Sequence, residues 1–550
     1  MNKLYIKTLK LIVLFLVMAA GAQAQAILKG KVSDAQSTLV GVSVAVSGVG
    51  GTTTNVNGEY IIKLGKGNYT VTFSYIGYQQ LIKQVSIADA DVVLDVVLIS
   101  SAQSLNEIVV TGNRGGGRVK LESPVPVDVI NVNSIEATTA KPDLMSQLNQ
   151  NVPSFNYNKQ SGGDGTDAID FASLRGLGFD QTLVLVNGKR RHLSAFVNEV
   201  GTRGRGNSGT DLNAIPESSI DHVEVLRDGA SAQYGSDAIA GVINIVLKKD
   251  INHLNVTGGF SGFNDQKYNT LNNVDPYGYY TGHKFDGQTF TLGADYGFAL
   301  GKNGGFINVA ANYENQGKTF RAIRDTNWQT NSNILEAQPV ARERRAFGDG
   351  SVVSGGGMYN MEVPLSGTKT VFYSFGGYNY KHSNVYAYTR SWDYNNGLRQ
   401  NPTKFPTDAN GNLIFVPGIM KIDAPPGTPF DPNNVYYDPQ EDVYIKDLSA
   451  AVGFRGTTPG DWDWDISNNI GRNDFHYWGN KTFNASLLYV PGQPIQTRFD
   501  DGGFNFLENT ANADITKRFK HVAQGLQLSF GTEFRYERYQ LYAGELNSYL

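Results

Sequence analysis

The chain has no cysteine. That excludes a disulfide framework, thiol catalysis, thiolate metal sites and a lipid-anchored N-terminal cysteine together. It also has no basic surplus: 47 Lys and Arg stand against 51 Asp and Glu, a formal net charge of -4. Nucleic-acid binding needs such a surplus, so nucleic acid is not an expected partner. Histidine is scarce, with seven in the whole chain. They form no HExxH or similar spacing, and no GxSxG elbow occurs, so neither a zinc peptidase nor a serine hydrolase is expected. Nothing calls for a cofactor. Past the first residues no apolar run reaches the ~20 residues a membrane-spanning helix needs.

The N-terminus carries Lys3, Lys7 and Lys10, then an apolar run from Leu11 to Ala20, then Ala22-Gln23-Ala24. This is the pattern of a secretory signal peptide cleaved after Ala24, spanning residues 1–24. The mature chain is therefore expected to leave the cytoplasm without a helical anchor. Its 62 glycines, 29 tyrosines and 28 phenylalanines suggest many strands joined by turns.

Residues 26–99 read as short alternating strands, among them "LKGKV", "VSVAV", "GEYIIKL" and "YTVTFSYIGY", separated by "NVNG" and "GKGN" turns. That spacing predicts a small β-sandwich. The run from Lys29 to Tyr78 resembles the carboxypeptidase regulatory-like domain often placed ahead of outer-membrane receptors in Bacteroidetes. The region has no histidine for a zinc site, so the resemblance implies an accessory role and no peptidase.

Next comes "SLNEIVVTGNRGGGR", residues 104–118. Its β-branched centre and triple glycine predict an extended strand on a flexible tether, able to add to the exposed edge of a partner's sheet. The stretch Glu107, Ile108, Val109, Val110, Thr111 and Gly112 resembles a TonB box. Alone, "EIVVTG" reads equally as an internal strand; its place between a complete domain and the next motif favours the box.

Residues 119–249 resemble the plug domain of TonB-dependent receptors. Two blocks in family order carry the resemblance: "LRGLGFDQTLVLVNGKRRH" (Leu174 to His192) and "IPESSIDHVEVLRDGASAQYGSDAIAGVINIVLKK" (Ile215 to Lys249). "TLVLVNG" and "DHVEVL" read as buried strands, and the small-residue stretch holding Tyr234 reads as a turn into another. Gly176, Gly188, Gly229, Gly235 and Gly241 are expected where turns need positive φ or close packing. The family pattern implies that Arg175, Glu224 and Arg227 pair within the plug or against the barrel wall; the alternative is solvated surface charge. Asp164, Asp167 and Asp170 lie close in sequence but lack an EF-hand register, so no metal site is assigned.

From Ile251 to Leu550 the pattern is that of amphipathic strands. Phe290, Leu292, Ala294, Tyr296 and Phe298 alternate with Thr289, Thr291, Gly293, Asp295 and Gly297, and Ile307, Val309, Ala311 and Tyr313 repeat this after "GKNGG". Trp462, Trp464, Ile466 and Ile470, then Leu526, Leu528, Phe530 and Phe534, continue it. Tight turns on one side and long polar connections such as Ser391 to Asp442 on the other predict a transmembrane barrel with its apolar face to lipid. A soluble barrel or sandwich shows the same alternation. Family barrels close about 22 strands. Only roughly eight to ten candidates are found here, so the sequence is expected to hold the first part of such a barrel, since bare sheet edges in lipid leave backbone groups unpaired.

The expected fold class is mainly β: a small β-sandwich, an α+β plug domain, then the N-terminal part of a transmembrane antiparallel β-barrel. The resemblance implies an outer-membrane, TonB-dependent importer of a scarce nutrient (iron chelate, vitamin, oligosaccharide or peptide). It implies an unidentified extracellular ligand, and places the first domain and the box in the periplasm. The runner-up is a passive barrel or adhesin, which needs neither box nor plug. Two departures narrow the family. The plug has "TLVLVNGKRRH" where glycan importers with a surface lipoprotein have an "NDPLYVIDG"-type block, and the first domain is unlike the βαβ signalling domain of receptors that address an anti-sigma factor.

Overall fold

The computed structural model describes most of residues 26–98 and 127–549, together with 108–109 and 118–119. The longer stretches outside it are 1–25, 99–107, 110–117, 120–126, 133–142, 265–284, 320–347 and 392–404, with shorter ones elsewhere. The signal-peptide reading therefore falls outside the described residues. The chain divides into two compact units, one ending near Ile108 and the other holding nearly everything from Ser123 onward.

The first unit is a two-sheet sandwich. Strands β1 (Ala26–Ser33), β2 (Ser43–Val46), β3 (Gly50–Thr53), β4 (Glu59–Leu64), β5 (Gly67–Ser74), β6 (Leu81–Ile87), β7 (Val92–Val93) and β8 (Val96–Val97) follow one another. One sheet runs β4-β1-β7, with β8 also on β1, and the other runs β3-β2-β5-β6. Period-two alternation sends Leu28, Val44, Val71 and Phe73 into a shared core. Tyr60 lies edge-on to Phe73 at 5.5 Å and donates its hydroxyl to the Leu94 carbonyl at 2.8 Å. That bond satisfies the polar end of a fully buried ring. Ile108–Val109 (β9) and Arg118–Val119 (β10) form a separate two-stranded ladder.

In the second unit, β11 (Val127–Asn131), β12 (Phe155–Asn156), β13 (Ser173–Leu174), β14 (Thr182–Val186), β15 (Lys189–Arg190), β16 (Ile220–Leu226) and β17 (Gly241–Leu247) belong to the plug region. Five of them make a sheet in the order β11-β16-β17-β14-β15, with β14 parallel to β17 and the other pairs antiparallel. Ile220, Val223, Ile243, Ile245 and Leu247 pack on one side beneath the helix Leu144–Asn151, whose N-cap Asp143 accepts from Ser146 N at 2.9 Å. Leu183, Leu185 and Val242 pack on the other.

Around the plug, among the described residues, runs an antiparallel sheet of nine strands, within the range read from the sequence. Its members are β18 (Leu254–Asn264), β19 (Phe285–Leu300), β20 (Gly305–Gln316), β21 (Ser351–Pro364), β22 (Thr370–Tyr386), β26 (Gln440–Thr457), β27 (Trp462–Asn480), β28 (Arg498–Phe519) and β29 (Leu526–Tyr542). Connections at one end are short, as at 301–304, 365–369 and 458–461, and those at the other are long. The long connection after β22 is not merely polar loop: β23 (Arg390–Ser391), β24 (Lys421–Ile422) and β25 (Val435–Tyr437) form a small sheet there. Phe405, Met420, Val435 and Tyr437 build a core with Phe483 from the connection after β27.

The wall strands bury the polar half of the alternation. On β19, Thr289 and Asp295 are buried whereas Phe290, Leu292 and Phe298 are exposed; on β20, Asn308 is buried and Val309 and Tyr313 are exposed. A soluble sandwich would invert this. Polar side inward and apolar side outward is the arrangement of a strand wall in lipid.

Candidate functional site

The first plug block is built around a turn. Arg175 and Gly176 have φ of 56° and 70°, and Asn156 Oδ1 accepts from Gly176 N at 2.8 Å. The Arg175 guanidinium then donates to the carbonyls of Ala240 (3.2 Å) and Ile239 (3.0 Å), fastening this turn to the segment that leads into β17. Asn187 and Gly188, with φ of 47° and 77°, make the two-residue hairpin between β14 and β15. Gly188 N donates to Asn244 Oδ1 at 2.9 Å, and Asn244 donates in turn to Glu224 Oε2 at 2.9 Å. Glu224 is fully buried. Its other oxygen lies 3.7 Å from His222 Nε2, whose Nδ1 meets Asp221 at 2.6 Å. Burial pushes His222 down, but the hydrogen bonds and charges of Asp221 and Glu224 outweigh it and hold the imidazole at about 9.

In the second block Arg227 bridges strands, its Nε 2.6 Å and its Nη2 3.1 Å from the Asp128 carboxylate on β11. All three charged positions read from the sequence thus have partners inside the plug. Gly235 (φ 90°, ψ -171°) ends the helical turn Ser231–Tyr234, and the Tyr234 carbonyl accepts from Arg190 at 3.4 Å. Gly241 (φ 150°) sits where a Cβ would lie 2.3 Å from the Leu226 carbonyl oxygen, so no side chain fits between β16 and β17. Gly229 departs from expectation. It is absent from the positive-φ residues, and a Cβ there would meet only Ile239 O at 3.4 Å, because a bond from Gly229 N to Asp228 Oδ1 shapes that turn without glycine's freedom.

Contact with the wall is made by a run that sequence reasoning quoted but did not single out. Lys189 Nζ lies 2.7 Å from Asp465 on β27. Arg190 pairs with Asp237, which Arg535 of β29 also holds at 2.8 Å, and the two cations, outweighing burial, keep the Asp237 carboxyl below its usual range. Arg191 and His192 converge on Asp447 of β26, His192 Nε2 at 3.0 Å, and Asn473 Nδ2 adds a third bond at 3.0 Å. Burial pushes His192 down, although Asp447 opposes it. Elsewhere Lys248 meets Asp295 at 2.9 Å, and Lys381 of β22 meets Asp211 of the plug at 2.9 Å. The available signal was four basic side chains in a row, directly after a hairpin turn, in a chain with no cationic surplus.

Between plug and wall lies a cavity of about 760 Å³, lined by Asn187, Lys189 and Tyr234 on one side and Asp465, Asn512 and Glu533 on the other. Among the described residues no carboxylate or histidine cluster is arranged to hold a metal; Asp167 is buried, and Asp170 lies outside them. Of the expected box, Ile108 and Val109 form β9, while Glu107, Val110, Thr111 and Gly112 lie outside the described residues.

Two family models match the chain: a TonB-dependent receptor plug domain over residues 119–242 and a CarboxypepD_reg-like domain over residues 28–110. Among curated proteins, a ferric enterobactin receptor of Pseudomonas aeruginosa is 34% identical over 143 residues, covering 26% of this chain and 19% of that protein. A vitamin B12 transporter of Vibrio vulnificus is 37% identical over 149 residues, covering 26% and 21%. These matches span about a fifth of the relatives' length. Among solved structures, the RagAB peptide importer aligns over 80% of this chain and 51% of that one, with 13% identity and a TM-score of 0.48. The relatives are receptors and transporters rather than enzymes, and the Vibrio cholerae relatives are described as outer-membrane proteins. The chain thus carries a CarboxypepD_reg-like domain followed by a TonB-dependent receptor plug domain, with a strand wall around the plug.

Proposed function

We propose that the protein imports a scarce nutrient across the outer membrane, driven by TonB pulling on the segment Glu107 to Gly112. The observation that carries this reading is the seat of the plug. It is a sheet of its own, held to the wall by ion pairs from Lys189, Arg191 and Lys248 and by the His192 hydrogen bond to Asp447. Such pairs hold firmly while formed, and they can be exchanged for water or new partners when the plug shifts. Ligand bound from the long-connection side changes the plug, the box segment becomes available, and TonB adds to it as a strand. In this proposal Arg175, Gly176, Gly188, Glu224, Arg227, Tyr234, Gly235 and Gly241 keep the plug folded, Gly229 contributing least. The sandwich is an accessory periplasmic domain. The cargo class is an iron chelate, vitamin, oligosaccharide or peptide.

The test separates a coupled importer from a passive barrel. Proline at Val109 removes a backbone donor and fixes φ, whereas alanine keeps both ladder bonds. Val109→Pro is expected to abolish uptake of the cognate ligand and Val109→Ala to retain it, with surface binding intact in both. Uptake by Val109→Pro at the parent rate would remove the box from the mechanism.

A further inference from the structure

On β20 the even-numbered residues face inward: Asn308 and Ala310 are buried, whereas Val309 and Tyr313 are exposed. Period two puts Asn312 and Glu314 on that same inner face. β20 is hydrogen-bonded on both sides, to β19 and β21, so neither residue lies at a sheet edge. Opposite them stand the first turn of the helix Leu144–Asn151, with its N-cap Asp143, and the turn Glu217–Ser219. With β18 and β19 these elements enclose a cavity of about 270 Å³.

Asp143, Glu217 and Glu314 line this cavity beside the amides of Gln147 and Asn312, and among the described residues no Lys, Arg or His does. Gln147 is 2% exposed, and its Oε1 is enclosed without a hydrogen-bond partner, as is Asn312 Oδ1. Glu314 has neither a hydrogen bond nor an ion pair among the described residues. Lys381 and Lys159, whose charges reach it, are bonded to Asp211 at 2.9 Å and to Gln316 at 3.3 Å. An enclosed carboxylate needs a counter-charge, and enclosed amide oxygens need a donor or a cation. Water meets the second need only, whereas a cation meets both. A hard cation takes carboxylate and amide oxygens and completes its shell with water. Among the described residues no three carboxylates or histidines are grouped to hold a bare ion, so part of the water shell stays. The cavity has room for it at about 30 Å³ per water. Magnesium demands near-octahedral geometry and sheds water reluctantly, while calcium accepts irregular oxygen sets. The positive end of the helix, which opposes a cation, is already offset by Asp143.

We propose that this cavity is a calcium site joining the plug helix to the strand wall. Glu314 and the Asn312 amide of β20 hold the ion from one side and the Gln147 amide from the other, while Asp143 and Glu217 act on it through water. The site needs neither cargo nor TonB. Because its ligands come from both elements, bound calcium ties the helix to β20.

The test is equilibrium dialysis of the full receptor in mild detergent, stripped with chelator and returned to radioactive calcium up to about 1 mM. The parent is expected to bind one equivalent more than Glu314→Gln, and Gln147→Leu to bind that equivalent about tenfold more weakly. Glu362→Gln, which removes a wall carboxylate paired with Lys249 and Arg455, is expected to bind as the parent does. Calcium should raise the melting temperature of the plug in the parent and leave it unchanged in Glu314→Gln. Heat-modified gel mobility identifies variants that fold like the parent. Equal stoichiometry in the parent and folded Glu314→Gln would overturn the proposal, as would a stripped parent that takes up no calcium. Asn312→Asp, nearly isosteric and with one more charge, should bind the equivalent more tightly; unchanged affinity there would overturn the assignment even if Glu314→Gln did not fold. Displacement of the equivalent by magnesium or sodium at equal concentration would overturn the choice of ion.

Discussion

On β19, Asp295 and Phe298 stand three residues apart and face opposite ways. The carboxylate is 2% exposed and bonded to Lys248 of the plug, while the ring is 49% exposed. The same contrast recurs on β26, where buried Asp447 neighbours exposed Leu448, and on β27, where buried Asn473 alternates with Arg472 and Ile470. A strand wall between lipid and a plug has two solvents, and neither is water. The outer one rewards apolar area and tolerates no unpaired charge at mid-depth. The inner one is the plug's surface, where each wall polar group must find a specific partner. Inner-face residues are thus fixed by pairing, and outer-face residues only by polarity.

Breaking the inner pairing should have the largest effect. Asp447→Ala leaves Arg191 and His192 buried without their carboxylate, and removal of one partner of a buried pair costs about 3–5 kcal/mol. Chemical denaturation of the folded receptor, followed by protease exposure of the plug, should register that loss. Asp447→Asn keeps one accepting oxygen but sets an amide NH2 against the other donors, and should lie between.

On the outer face, Ile466→Lys puts a charge into the apolar band, where barrel strands lose about 2–4 kcal/mol at mid-depth and little near the interface. Reversible unfolding in bilayers should detect it, and the same change at Leu448, one row below Lys446, should cost far less. A third substitution leaves both faces alone. Gly235→Val asks a β-branched residue to hold φ 90°, ψ -171°, a strain of about 1–3 kcal/mol, with nothing within 4 Å to crowd the new side chain. If the plug melts as the parent does, that turn is not held by the backbone.

The last effect is one of pH. His222 titrates at about 9 in the fold and near 6.5 when unfolded. Its contribution to plug stability is complete below about pH 6.5 and is lost as pH rises through about 9. His222→Gln should flatten that part of the stability profile and leave the acid side unchanged.

What the sequence disclosed follows from the same contrast. Phe290, Leu292 and Phe298 could be assigned a face from period two alone, because lipid asks only for apolarity. The Arg191 and His192 contact with Asp447 could not, since the partners are 256 and 255 residues apart and meet only through strand register. Within the plug, Arg175, Glu224 and Arg227 were legible as paired charges, but their partners Ala240, Asn244 and Asp128 were not. Gly229 was misjudged because a glycine after aspartate in a turn looks obligatory until the Asp228 side chain is seen to make the turn. The small core around Phe405 was hidden by the polar residues between its members.

That small core constrains how the outer rim can change. Phe405, Met420, Val435 and Tyr437 come from one connection and Phe483 from the next, with Ile495 packed beside them. The two segments share one hydrophobic centre. Transplanting either into another receptor, to alter what it captures, would strand half a core in water. A graft should carry residues 405–437 and 483–495 together, and a drift in one segment should be matched by compensating change in the other.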